Sequence, residues 1–180
     1  LPELKVRYLM YTRHSPALQA VLSELNPEVA RRVIPLDDGP AAMIEAVAAL
    51  KRGEFVAILG DRMPHTTTRG RLTTEFLGGS ITVPSSPYVL AMGAGAPLIL
   101  CFAPWLGRDT YRVDFSEIYD GTAVPRAERG ARIQRLAQLY TSRLETLCRR
   151  HPFNWFNFFD IWRIERDLPS ADARHGHGGA

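Results

Sequence analysis

The sequence predicts an α/β domain with a mostly parallel central sheet and helices on both faces. Three observations carry this expectation. Strand-forming and helical-period runs alternate along most of the chain. Residues 55–59 (FVAIL) are apolar at every position, the pattern of a strand covered on both faces. Residues 127–150 place Ile133, Leu136, Tyr140, Leu144 and Leu147 on one helical face and many arginines on the other, which suits a helix lying on a sheet.

The elements follow in order. Residues 5–11 (KVRYLMY) are rich in β-formers, and Ser15-Pro16 caps a helix with Leu18, Val21, Leu22 and Leu25 on one face before Asn26-Pro27 stops it. A short strand at residues 32–36 leads to Asp37 or Asp38 as the cap of a helix through Met43, Ala46, Val47 and Leu50, and Arg52-Gly53 turns the chain into strand 55–59. After an irregular polar stretch come a short helix at 87–93 and strands at 97–102 and 111–115 around a turn at Gly107-Arg108-Asp109. Last is HPFNWFNFFDIW, residues 151–162, where Trp155, Phe158, Phe159 and Trp162 stand at i, i+3, i+4 and i+7 and predict an aromatic helix started by Pro152. Such a stripe either seals a core, the commoner use, or offers apolar surface to lipid.

A chain of 180 residues with 46% hydrophobic and 23% charged residues has enough apolar material for one globular core. A formal charge of +3 is compatible with acidic partners and does not imply nucleic acid. Cys101 and Cys148 have neither CxxC nor paired-ligand spacing, so no zinc site or disulfide framework is expected, and a reducing compartment fits best. No apolar run is long enough to cross a bilayer, so any membrane contact is expected to be peripheral or supplied by sequence outside these residues. The chain enters a strand almost at once. Residues 1–165 are therefore read as the C-terminal part of a single domain, incomplete at its N-terminus, and residues 166–180 as a disordered tail whose His175 and His177 lack a third metal ligand.

The chemistry is expected at the carboxyl end of strand 55–59, the edge where open α/β sheets place ligands. Gly60 permits a tight turn, Asp61 accepts hydrogen bonds, and Arg62 offers a planar fork matched to phosphate or carboxylate, although an Asp and Arg bracing a loop would look the same. His14 ends the first strand and shares that edge if the strands are parallel; His65 follows in a polar run. Both are second-rank candidates against the plainer reading of surface loop histidines. Residues 84–87 (PSSP) give a hydroxyl-rich, proline-started helix end that suits an anion but is common in α/β proteins. Residues 92–98 (MGAGAPL) lack the third glycine of a dinucleotide fingerprint, and no GxSxG, GxxxxGK or HExxH pattern exists.

In order and spacing, FVAILGDRMP, the FLGG segment, VLAMGAGAPLILCF and the terminal HPFNWFNFFDIW resemble the lysophospholipid acyltransferase superfamily, more narrowly its bacterial branch related to lipid A late acyltransferases. The resemblance covers most of residues 5–163. It implies transfer of a fatty acyl group from an acyl-CoA or acyl carrier protein thioester to a hydroxyl or amine of a lipid acceptor, with no resident cofactor or metal. It also implies peripheral membrane contact at the cytoplasmic face of the inner membrane. Carried over by position, Asp61 and Arg62 match the acceptor-binding motif, and Phe76 and Gly78 the adjoining Phe-x-Gly segment that shapes the acyl or acceptor pocket.

The family's catalytic pair is His, four residues, then Asp or Glu, the base and its orienting acid. Here Gln19, Gly70, Phe156 and Ala180 stand at the acid's place after His14, His65, His151 and His175, and His177 has no residue there. No catalytic residue is therefore assigned within the chain; the pair is expected upstream. The alternative is a non-catalytic lipid- or carrier-protein-binding module, docking an acidic carrier through Arg126, Arg129, Arg132, Arg135, Arg149 and Arg150.

Overall fold

A computed structural model describes residues 4–12, 20, 23–24, 26–61, 70–157 and 160–162. Strands β1 (Val6–Met10), β2 (Val33–Pro35) and β3 (Phe55–Ile58) form a parallel sheet in the order β2-β1-β3. Tyr8 pairs with Val33 on one side and Ala57 on the other. Helix α1 (Pro27–Arg31) precedes β2, and Asn26 caps its start: its side chain accepts the Val29 N–H at 3.2 Å. Of the helix expected at 15–25, only Ala20, Ser23 and Glu24 lie among the described residues, and they are helical.

Helix α2 (Pro40–Lys51) begins after Gly39, so neither Asp37 nor Asp38 caps it. Proline at its first position needs no N–H partner. Its buried face is Ala42, Ala46 and Ala49, at i, i+4 and i+7. These short side chains bring the helix close to the sheet, where Leu9 and Ile34 are buried with Leu90 from the following helix. Across the sheet's amino edge, Glu54 bridges β1 and the end of α2, with Arg7 Nε at 2.8 Å and Arg52 Nε at 2.9 Å.

The second half is antiparallel. Strands β4 (Arg71–Phe76) and β5 (Gly79–Pro84) are joined by a two-residue turn with Leu77 at φ 50° and Gly78 at φ 83°. Two left-handed residues make a type I′ turn, whose twist matches that of the strands it joins. Helix α3 (Ser86–Ala94) follows. Strands β6 (Leu98–Phe102) and β9 (Asp114–Tyr119) then pair, and β7 (Trp105–Gly107) pairs with β8 (Thr110–Tyr111) around Arg108 and Asp109, both at positive φ. Together they make one long hairpin, with its turn where the sequence placed it.

Helix α4 (Arg129–Arg150) seals this half. Its buried residues are Leu136, Ala137, Thr141, Leu144 and Cys148, while Ile133, Tyr140 and Leu147 are half-buried at the margin. The inward face is thus turned slightly from the one the large side chains predict, because small residues at 137, 141 and 148 let the backbone approach. Thr141 satisfies its hydroxyl within the helix, donating to the Gln138 carbonyl at 3.1 Å. Thr74, buried on β4, has no hydrogen-bond partner for its own hydroxyl.

Among the described residues two strand pairings are parallel and three are antiparallel, so the expectation of a mostly parallel sheet holds only for β1–β3. The reason is local: two-residue turns join antiparallel neighbours, whereas a parallel pair needs a crossover of a dozen residues or more. On β3, Val56 and Ile58 pack toward α2 while Phe55, Ala57 and, just past the strand, Leu59 are exposed. Helical cover thus reaches one face of that strand among the described residues. No helix among them is long and apolar enough to cross a membrane.

Hydrogen bonds from Arg52 and then Arg7 hold the Glu54 carboxyl down at about 2, from an ordinary value of 4.5. A depressed carboxylate pKa adds stability that is complete above the unfolded value and is lost as pH falls through the folded one. Unfolding by urea is therefore expected to become easier between pH 4.5 and about 2, and Glu54→Gln is expected to flatten that part of the profile.

Candidate functional site

Because β1, β2 and β3 run parallel, their carboxyl ends share one edge, occupied by Thr12, Asp37 and Asp61. Asp37 Oδ2 accepts the Thr12 N–H at 2.6 Å and the Thr12 hydroxyl at 2.9 Å, which ties the end of β1 to the 3₁₀ turn after β2. Asp61 lies one strand over, half-buried, and its Oδ2 accepts the indole N–H of Trp155 at 3.4 Å. Gly60 beside it has a steric role: a Cβ there would meet the ring of Tyr140 at 3.1 Å. Tyr140 in turn stacks on Phe102 with 6.4 Å between ring centroids. That approach of Tyr140 places α4 beside this edge, where burial, with the charges of Glu145 and Asp61, pushes the Cys148 thiol up.

The hairpin β4–β5 supplies the adjoining wall. Phe76 is fully buried and meets Trp155 edge to face, 5.1 Å between centroids at 68°. The indole of Trp162 donates to the Phe76 carbonyl at 3.4 Å and lies over Gly79, where a Cβ would come within 2.6 Å of it. Gly78 stands at the exposed tip of the turn, where its positive φ is the requirement. The two tryptophans of the terminal segment thus bracket the Phe-Leu-Gly-Gly turn.

This geometry corrects the aromatic helix expected from the i, i+3, i+4, i+7 spacing. Helix α4 stops at Arg150; Pro152–Asn154 form one 3₁₀ turn, and Trp155 is extended at φ −112°, ψ 98°. His151 precedes proline, which disfavours the helical region there. Asn154 then spends its side chain on β7, accepting from the Trp105 N–H and donating to the Trp105 carbonyl at 3.2 Å. Phe158 and Phe159 lie outside the described residues.

Of the residues singled out from the sequence, Asp61 and Phe76 are brought together through Trp155, with Gly78 at the tip beyond. Arg62, His14 and His65 lie outside the described residues. Trp155 and Trp162 as partners of the site were missed because periodicity placed them on a helix. The β4–β5 hairpin was missed as well, read as an irregular polar stretch, although the alternation of RLTTEF and the Leu-Gly that follows are its signal. Among the described residues no group of three or more His, Cys, Asp or Glu is placed to hold a metal ion. What the edge offers is a half-buried carboxylate set among aromatic rings, an arrangement suited to orienting a polar group attached to an apolar chain.

A scan of the sequence against protein-family models gives no match, and a search of curated proteins finds no relative.

Gly79→Ala is expected to destabilise the fold by about 1–3 kcal/mol, since either Trp162 or the hairpin must shift. Urea unfolding followed by tryptophan emission measures it, and the native emission is expected to move to the red as Trp162 leaves its site.

Proposed function

We propose that these residues are the acceptor-gripping part of a lipid acyltransferase. Arg62 binds an anionic group of the acceptor and Asp61 orients it. The family fold, a sheet covered on both faces, belongs to the same reading. One observation supports it most: Asp61 after β3, Phe76 at the Phe-Leu-Gly-Gly turn and the terminal aromatic segment, far apart in sequence, meet through Trp155. Segments that resemble one family in order are expected to converge if the resemblance is functional.

In this reading acyl-CoA or an acyl carrier protein supplies the thioester. The base that takes the acceptor's proton is a histidine outside the 180 residues, because none within is followed at the right spacing by Asp or Glu. That same absence favours the second reading, a non-catalytic lipid- or carrier-protein-binding module. An acyl-transfer assay on the product of the whole reading frame separates the two. Turnover of a lysolipid acceptor supports the first, and binding without turnover supports the second.

Arg62→Ala is expected to weaken binding of an anionic lysolipid by about 1.5–3 kcal/mol, roughly 10- to 150-fold, through loss of a charge-assisted contact. Titration calorimetry measures it, and unchanged affinity would remove Arg62 from the site.

A further inference from the structure

Among the described residues, the β7–β8 hairpin and the terminal segment beside it leave large aromatic side chains exposed. Trp105 on β7 is 51% exposed and Tyr111, its cross-strand partner on β8, 63% exposed. Phe153 and Phe156, at 87% and 64%, belong to the terminal segment that Asn154 fastens to the Trp105 backbone. Four large aromatic side chains are thus more than half exposed on the β7–β8 hairpin and on the segment fastened to it. The segment is held there by two side-chain hydrogen bonds, so the exposure is built into the fold.

Charge is concentrated beside them. Helix α4, which runs directly into this segment, carries six arginines against the single carboxylate of Glu145, whereas the whole chain has a formal charge of only +3. The cationic excess of the protein therefore lies on this helix. Arg143 and Arg150 are seven residues apart, two turns along one face; both are exposed and neither forms an ion pair among the described residues.

We propose that the aromatic edge of β7–β8 with Phe153 and Phe156, together with the arginine face of α4, docks the protein on an anionic lipid surface. The charge calls for a negative partner, and the aromatic rings call for an apolar one at the same place. The headgroup boundary of an anionic bilayer supplies both within a few ångströms, with tryptophan and tyrosine at the boundary and arginines among the headgroups. An acidic protein would satisfy the arginines and leave Phe153 in water. Trp155 stands between Phe153 and Phe156 in the chain and its indole donates to Asp61, so the docked segment is tied directly to the candidate site. The inference stands on this surface chemistry alone and does not require acyl transfer.

Vesicle co-sedimentation of the full chain tests it, comparing phosphatidylcholine alone with phosphatidylcholine containing about one quarter phosphatidylglycerol. Binding to the anionic vesicles is expected, weakening as salt is raised. Phe153→Ser with Phe156→Ser is expected to lower it at least about tenfold. Arg143→Glu with Arg150→Glu is expected to do the same and to remove the salt dependence. All four positions are exposed, so circular-dichroism melting should match the parent chain. No binding to anionic vesicles at low salt would overturn the proposal, as would undiminished binding by the folded variants. So would a dimer that the phenylalanine variants dissolve, or capture of an acidic carrier protein, in a chain that ignores vesicles.

Discussion

The rest of the structure depends on how α4 closes the open edge of β4. A hairpin strand leaves alternate N–H and C=O groups unpaired on its outer side, and those groups must find partners. Helix α4 supplies them from side chains on one stripe. Gln134 Nε2 donates to the Thr73 carbonyl at 2.6 Å; Gln138 accepts the Glu75 N–H at 3.0 Å and donates to the Glu75 carbonyl at 3.1 Å; Glu145 accepts the Leu77 N–H at 2.8 Å. The spacing i, i+4, i+11 on the helix is thereby matched to every second residue of the strand. The side chains act as the missing strand, and the helix face beside them buries Ala137, Thr141 and Leu144.

This clamp reaches the site through the turn. Leu77 holds a left-handed conformation that costs a non-glycine residue about 1–2 kcal/mol, and the bond to Glu145 helps to offset it. The Leu77 N–H, and after it Arg149, keep the Glu145 carboxyl below its ordinary range, so the acceptor is charged when the bond is made. With the turn fixed, Phe76 presents its ring to Trp155 and its carbonyl to Trp162. Trp155 in turn reaches Asp61 across the boundary between the two halves of the fold. Helix α3 joins the halves independently: Tyr88 and Ala91 belong to one core and Leu90 to the other.

What the sequence made legible was whatever had a strong local cause. The apolar run at 55–59, the alanine-rich stretch of α2 and the amphipathic α4 each form from their own periodicity, and Arg108-Asp109 turns where polar residues interrupt two apolar runs. Asp61 was singled out by position alone, as the first charge after an apolar strand. What escaped was set by tertiary partners. The spacing of Trp155 and Trp162 is helical, yet Pro152, the Asn154 bonds to β7 and the bonds that Asp61 and the Phe76 carbonyl accept from the two indoles outweigh it. Gln138 and Glu145 look like ordinary polar positions on a helix until the strand edge they satisfy is known. Parallel or antiparallel pairing of the later strands likewise turned on connection length, which outweighed the expectation of a repeating strand-helix unit.

The central claim is that α4 side chains stand in for a strand along β4, and hydrogen exchange of the backbone amides reads this directly. If the account is right, the amides of Glu75 and Leu77 exchange as slowly as the amides paired across β4–β5, opening only when the hairpin opens. Exchange of those two amides at the rate of unstructured chain, with α4 still protected, would contradict it.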